Sequence, residues 1–219
     1  ESRSDTFVVD EPFYPHYLSK TNIDHPGRNE IINNGEIDDK KVSNSLITDT
    51  KSGCSVHYQK HITHHLLPSV NRDWMSNVIN CFLIRDPKDV IISYSKVHSD
   101  LNMHLLGLNE QYEIFNYVKD VTGEIPPVID SMDVLQNPRH TLENLCNRIG
   151  VLFSEEMLSW SKGKRLTDGI WAKYWYKNVI NSTGFNSYKE KSEEVPSKYL
   201  NLYTKCSEIY SKLCQHKII

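Results

Sequence analysis

The 219-residue sequence has no apolar run that approaches the ~18 residues of a membrane span, because charged residues interrupt its greasiest stretches. It also lacks a C-x-x-C pair, a G-x-x-x-x-G-K-[ST] phosphate loop, any internal repeat or low-complexity tract, and any surplus of positive charge. Each absence closes off a class of function. Against 25 Lys and Arg stand 28 Asp and Glu, a net charge of −3, so nothing favours a nucleic-acid or anionic-membrane partner for the chain as a whole, and any phosphate site must be local. The missing glycine-rich loop, with no carboxylate placed to hold Mg²⁺, disfavours a nucleotide kinase or other P-loop phosphotransferase. Five scattered cysteines, Cys54, Cys81, Cys146, Cys206 and Cys214, are odd in number and read as reduced thiols in a cytoplasmic setting.

The length and the 38% hydrophobic content suit one domain with one sizeable core, residues 1–219. Thr6–Asp10 reads as a β-branched strand closed by Asp10-Glu11-Pro12, and Cys54–Lys60 as a second strand. Short helices are expected around Asn29–Ile32 and Asp38–Ile47. The nearly continuous apolar run Val78–Ile84 fits a strand buried on both faces. A helix follows from Pro87 to about Ser99, with Asp86 as N-cap and Pro87 in the first turn. Glu110–Val121 is a helix with Ile114, Tyr117, Val118 and Val121 on one face, and Pro127–Asp130 a short strand. Next comes a helix from Asn137-Pro138 to Gly150 carrying Leu142, Leu145, Cys146 and Ile149, and then a C-terminal helix over Ser197–Gln215 packed on the outside of the sheet. Strands alternating with helices point to an α/β, three-layer arrangement around a mainly parallel sheet.

The segment Phe82-Leu83-Ile84-Arg85-Asp86-Pro87-Lys88-Asp89-Val90-Ile91-Ile92-Ser93-Tyr94 joins a strand to a helix N-terminus. Unpaired N–H groups and the helix dipole favour an anion there, and Arg85 and Ser93 would add donors. The plain alternative pairs Arg85 with Asp86, Asp89 or Asp130. This segment resembles the 3′-phosphate-binding stretch of the sulfotransferases that use 3′-phosphoadenosine-5′-phosphosulfate (PAPS), in which an Arg and a Ser eight residues later hold the phosphate. The resemblance implies that role for Arg85 and Ser93.

Further motifs extend the resemblance. Lys60-His61-Ile62-Thr63-His64-His65-Leu66-Leu67-Pro68 resembles the family's K-T-H-x-x-x-x-L-L-P, which implies His61 as general base; the family's Lys falls on Gln59, with Lys60 beside it as a candidate to steady the bridging oxygen. An imidazole titrates near working pH, so the chemistry agrees, and His64 and His65 are competitors. A zinc site of His61, His64 and His65 is the weaker option, because no Cys, Asp or Glu follows at metal spacing. Glu11 in Asp10-Glu11-Pro12-Phe13-Tyr14 is the rival base, or a group that orients His61 or binds the acceptor. Asp168-Gly169-Ile170-Trp171-Ala172-Lys173-Tyr174-Trp175-Tyr176 loosely resembles the glycine- and lysine-containing loop that closes over PAPS. It implies Trp171 and Lys173 as cofactor-binding residues, although clustered aromatics also suit a core. The Pro127–Pro138 and Leu142–Val151 stretches resemble the family's later strand and helix.

Taken together, the resemblance implies a P-loop NTPase-like sulfotransferase fold lacking its first strand and loop. PAPS would be the co-substrate, no metal would be needed, and the acceptor would be a small-molecule or carbohydrate hydroxyl or amine. Relatives carry a strand and phosphosulfate loop just before the segment matching Glu1-Ser2-Arg3, so residues 1–219 alone are expected to transfer little or no sulfonate. A catalytically silent module that retains only the 3′-phosphate half-site is the alternative.

Overall fold

The computed structural model describes residues 1–49, 51–189 and 192–218. The chain begins with β1 (Thr6–Asp10), α1 (Tyr14–Lys20), α2 (Arg28–Asn34), α3 (Asp39–Thr48) and β2 (Val56–Lys60), followed by 3-10 turns at Thr63–His65 and Asp73–Asn77. It continues with β3 (Phe82–Ile84), α4 (Pro87–Tyr94), α5 (Met103–Leu106), α6 (Leu108–Thr122), β4 (Val128–Asp130), α7 (Ser131–Gln136) and α8 (Pro138–Ile149). The last helices are α9 (Ala172–Trp175), α10 (Lys177–Ile180) and α11 (Leu200–Cys214). Contacts divide the chain into two units, Glu1–Val78 with Ser154–Gly184, and Ile79–Phe153 with the stretch from Phe185 onward. Among the described residues, no helix is long and apolar enough to cross a membrane.

In the first unit β1 and β2 pair in parallel, from Thr6 opposite Val56 to Asp10 opposite Lys60. The ladder runs one step further, where the Glu11 amide donates to the Lys60 carbonyl at 2.8 Å. The chain then turns sharply into α1, whose residues Tyr14 to Leu18 are all buried. A helix buried on every side shows no polar–apolar period, and α1 leaves no such trace in the sequence. Pro15 sits in its first turn, where a missing N–H is harmless. Tyr14, Tyr17 and Leu18 form a core cluster with Ile31 of α2 and Trp171. Both expected short helices are present as α2 and α3, and Asp38 caps α3 by accepting from the Lys40 and Lys41 amides.

In the second unit β3 and β4 pair in parallel, Phe82 opposite Val128 through Ile84 opposite Asp130. The expected long strand buried on both faces is corrected here. Only three residues pair, and they alternate, with Phe82 and Ile84 inside and Leu83 60% exposed. In this register Cys81 stands opposite Pro127, which has no N–H to extend the ladder, and Ile79 is left on the surface. Helix α4 ends at Tyr94 rather than Ser99, where the Ser95 hydroxyl donates to the Ile92 carbonyl. The buried face of α6 is Leu108, Ile114, Phe115 and Val118, while Val121 lies exposed. Helix α8 ends on Gly150 in the left-handed conformation, as expected. Helix α11, entered through a 3-10 turn at Ser197–Tyr199, packs on α4, α6, β3 and β4.

The fold is thus mixed α/β with parallel pairing, but the strands join two by two, one pair in each unit, rather than in one sheet. At β4, Val128 also bridges Lys217, and the Ile218 amide donates to the Val128 carbonyl, so the C-terminal stretch lies along that strand.

Candidate active site

The parallel register of β1 and β2 brings together residues fifty apart in sequence. Asp10 and Lys60 close the ladder side by side, with Lys60 Nζ 3.3 Å from Asp10 Oδ1. Glu11 follows with φ of 45°, the one non-glycine residue at positive φ among those described. Such a backbone costs roughly 1–2 kcal/mol in an ordinary residue. Here the turn aims the carboxylate back at Lys60, to which it is bonded through Oε1. Strain of this kind concentrates at functional positions.

Tyr176 completes the group. Its hydroxyl lies 2.9 Å from Asp10 Oδ1, Asp10 Oδ2 and Glu11 Oε1 alike, and accepts from Lys60 Nζ at 2.6 Å. Lys60 therefore places its three N–H groups on Asp10, Glu11 and Tyr176. The Trp171 indole N–H donates to Asp10 Oδ2 at 3.0 Å, and Gly169 lies so close beneath the Trp171 ring that an added Cβ would sit 2.1 Å from it. Only glycine permits that fold-over.

Glu11 is 7% exposed, and burial pushes its carboxyl above the usual range, partly opposed by the Lys60 charge. Its second oxygen, Oε2, faces His65 Nδ1 at 3.6 Å. His65 is stacked on Tyr14 at 4.5 Å between ring centres and on Tyr17 at 4.8 Å, and burial holds it well below the normal imidazole range. A cleft of about 320 Å³ opens along Glu11, Pro15, Ile31, Glu36, Asp168 and Trp171.

His61 lies elsewhere in this unit. It packs between Phe13 and Trp74, with Nε2 3.3 Å from Gln59 Oε1, and burial brings its pKa down to about 4. Gln59, the alignment's other candidate for the family lysine, bonds to the Leu46 carbonyl instead. Trp171 belongs to the buried core cluster, so a structural task fits it well. Lys173 is exposed and paired with Glu30 of α2 at 2.6 Å, away from the carboxylates. From sequence, neither Tyr176 nor Asp10 stands out as a chemical group. The signal that could have found Asp10 is the pairing of two strands that end on opposite charges, Asp10 and Lys60.

In the second unit Arg85 leaves β3 and Asp86 caps α4, accepting from the Lys88 amide at 2.7 Å. Arg85 pairs with Asp89 at 3.6 Å and remains 46% exposed. Asp130, its other possible partner, is buried and engaged by Tyr210 and the Met132 amide. Ser93 is exposed, four residues beyond Asp89 and hence on the same side of α4. An arginine fork just before α4 and a hydroxyl on that helix thus face solvent, with Asp89 between them in sequence. Among the described residues, no three His, Cys, Asp or Glu side chains gather in a way that could hold a metal ion.

Comparison with known proteins places these features in a family. Two curated Arabidopsis thaliana proteins, branched-chain-amino-acid aminotransferase-like proteins 1 and 2, are 35% and 31% identical over 214 residues. The match covers 98% of this chain and 38% of each relative, so the chain spans well under half of their length. Among solved structures, the sulfotransferase domain from the curacin biosynthetic pathway aligns over 91% of this chain and 77% of its own, with a TM-score of 0.47 and 15% identity. That of the Synechococcus PCC 7002 olefin synthase aligns over 90% and 73%, with a TM-score of 0.45 and 17% identity. The family model described as "Sulfotransferase domain" matches residues 1–202, nearly the whole sequence, and the chain belongs to that family.

Proposed function

We propose that the protein transfers a sulfonate group from PAPS to the hydroxyl or amine of a small-molecule or carbohydrate acceptor, within a three-layer, P-loop-like version of this fold and in the cytoplasm. The observation that carries the reading is Glu11, a buried carboxylate held at the edge of a cleft by Lys60 and Tyr176. PAPS, as co-substrate, supplies the sulfonate; the acceptor proton passes to the protein as the new bond to sulfur forms and the bond to the nucleotide's phosphate oxygen breaks. Glu11 is the better base of the two candidates. Burial raises its carboxyl toward working pH, whereas His61 is held down to about 4 and is wedged between Phe13 and Trp74. Arg85 and Ser93 are the residues that would hold the 3′-phosphate, since an exposed fork just before α4 and an exposed hydroxyl on α4 suit that anion.

The test uses the full-length protein. Calorimetric titration with adenosine 3′,5′-bisphosphate, against adenosine 5′-monophosphate and Arg85→Ala as controls, should show binding that needs both the 3′-phosphate and Arg85. Sulfonate turnover over a panel of alcohols, amines and sugars should fall by about 10²-fold or more in Glu11→Gln and far less in His61→Gln. A silent nucleotide-binding module is the competing reading, and the full commitment of the Lys60 N–H groups to protein partners favours it. Binding of the bisphosphate with no turnover of any acceptor would select it.

A further inference from the structure

We propose that Tyr176 is a positioning residue for the base, a hydroxyl that turns its single proton between Glu11 and Asp10 as the Glu11 carboxyl changes state. The proposal rests on the reading of Glu11 as base. Its ground is the geometry of three acceptors, Asp10 Oδ1, Asp10 Oδ2 and Glu11 Oε1, each 2.9 Å from one hydroxyl that has one proton to give. Rotation about the C–O bond moves that proton from one carboxylate to the other with no shift of a heavy atom. The hydroxyl oxygen is meanwhile anchored by Lys60 Nζ at 2.6 Å and Trp171 Nε1 at 3.3 Å.

Division of labour between the two Glu11 oxygens follows. Oε1 is taken up by Lys60 and Tyr176, leaving Oε2, which faces His65 Nδ1, to receive a proton. While Glu11 is ionised, the Tyr176 proton points at Oε1 and supports the charge. Once Oε2 has taken the acceptor proton, that support is no longer needed and the hydroxyl turns to Asp10, which stays ionised. The charged and titratable groups around Glu11 are Asp10 on its own turn, Lys60 at the end of β2, His65 in the following 3-10 turn, Tyr14 of α1, Tyr176, and Glu36 and Asp168 along the same cleft. Loss of the Tyr176 donor removes stabilisation from the ionised form only, so the Glu11 titration must move upward. A donor more acidic than tyrosine must move it downward.

The experiment is pH-difference infrared spectroscopy of the intact protein labelled with ¹³C-glutamate, with the Glu11 band assigned by its loss in Glu11→Gln. Tyr176→Phe keeps the ring that packs beneath Lys60 and removes only the hydroxyl. The midpoint should rise in Tyr176→Phe and fall when 3-fluorotyrosine replaces Tyr176. The fluorinated protein keeps every contact, so the second arm stands even if the phenylalanine variant fails to fold. A midpoint that moves in neither, or in the same direction in both, overturns the proposal. In the turnover assay kcat should fall about ten-fold in Tyr176→Phe with KM unchanged, and its acid limb should track the infrared midpoint. A shifted midpoint with unaltered kcat would overturn the positioning role. Turnover that is absent from the unmodified protein as well would instead count against the sulfonate-transfer reading, because the infrared arms need no acceptor.

Discussion

At the scale of single residues, the ion pair between Arg85 and Asp89 is the most informative contact of the second unit. A pair at 3.6 Å with an exposed Arg85 and a half-buried Asp89 contributes little to stability, about 1 kcal/mol at most, yet Asp89 places a negative charge where the proposed 3′-phosphate would sit. Removing it should help the ligand more than it harms the fold. Asp89→Asn is therefore expected to tighten binding of adenosine 3′,5′-bisphosphate by roughly two- to five-fold while lowering the thermal midpoint slightly, since Asp89 also stands in the first turn of α4, and Arg85→Ala to lose most of the affinity. Calorimetry on the two variants checks both signs. The sequence made Arg85 legible because a charged residue directly after an apolar run stands out. It left the choice between a phosphate and a neighbouring carboxylate open, and in the structure Arg85 engages the neighbouring Asp89.

At the scale of elements, what the sequence revealed was whatever leaves a periodic or punctuated trace. Helix α8 was readable from Asn137-Pro138 at one end and Gly150 at the other, and both signals act as caps in the structure. Helix α1 was invisible because every side from Tyr14 to Leu18 is buried and no pattern alternates. Strand β3 was overread, since an apolar run gives no warning that its partner strand begins just after two prolines. The carboxylate cluster was half legible: Glu11 and Lys60 were singled out, but Tyr176 lies more than a hundred residues from Lys60 and only folding joins them. Gly169 tests how that segment is held. Gly169→Ala would force the Trp171 ring away, so its N–H should release Asp10 and the Trp emission should shift to the red, with a destabilisation on the order of 1–3 kcal/mol. Unchanged emission would mean that the loop can relax around the extra methyl.

For the whole molecule, pH dependence follows from two buried histidines, His61 and His65, that pull against Glu11. His61 is held down to about 4 from an ordinary value of 6.5, so the folded protein prefers it neutral. Its contribution is fully present above pH 6.5 and is lost as pH falls through 4, a loss on the order of 3 kcal/mol. Glu11 is raised, so its contribution is complete below the ordinary carboxylate value and declines as pH rises through the folded-state value. Chemical denaturation between pH 7 and 4 should therefore show falling stability, and His61→Gln should reduce the slope in that window without abolishing it, because the buried His65 also resists protonation. An unchanged slope would place the acid sensitivity in other groups.

The pairing of Asp10 with Lys60 also limits how the gene can vary in length. Side chains alternate along a strand, so deleting one codon within β2 would turn Lys60 to the opposite face and put a different residue beside Asp10. The exposed turn before β2, Lys51 to Gly53, carries no such register and can gain or lose a residue at little cost. Among natural variants, insertions and deletions should therefore be tolerated between Lys51 and Gly53 and absent from Val56 to Lys60, a difference that can be counted in sequenced populations with no assay of the protein.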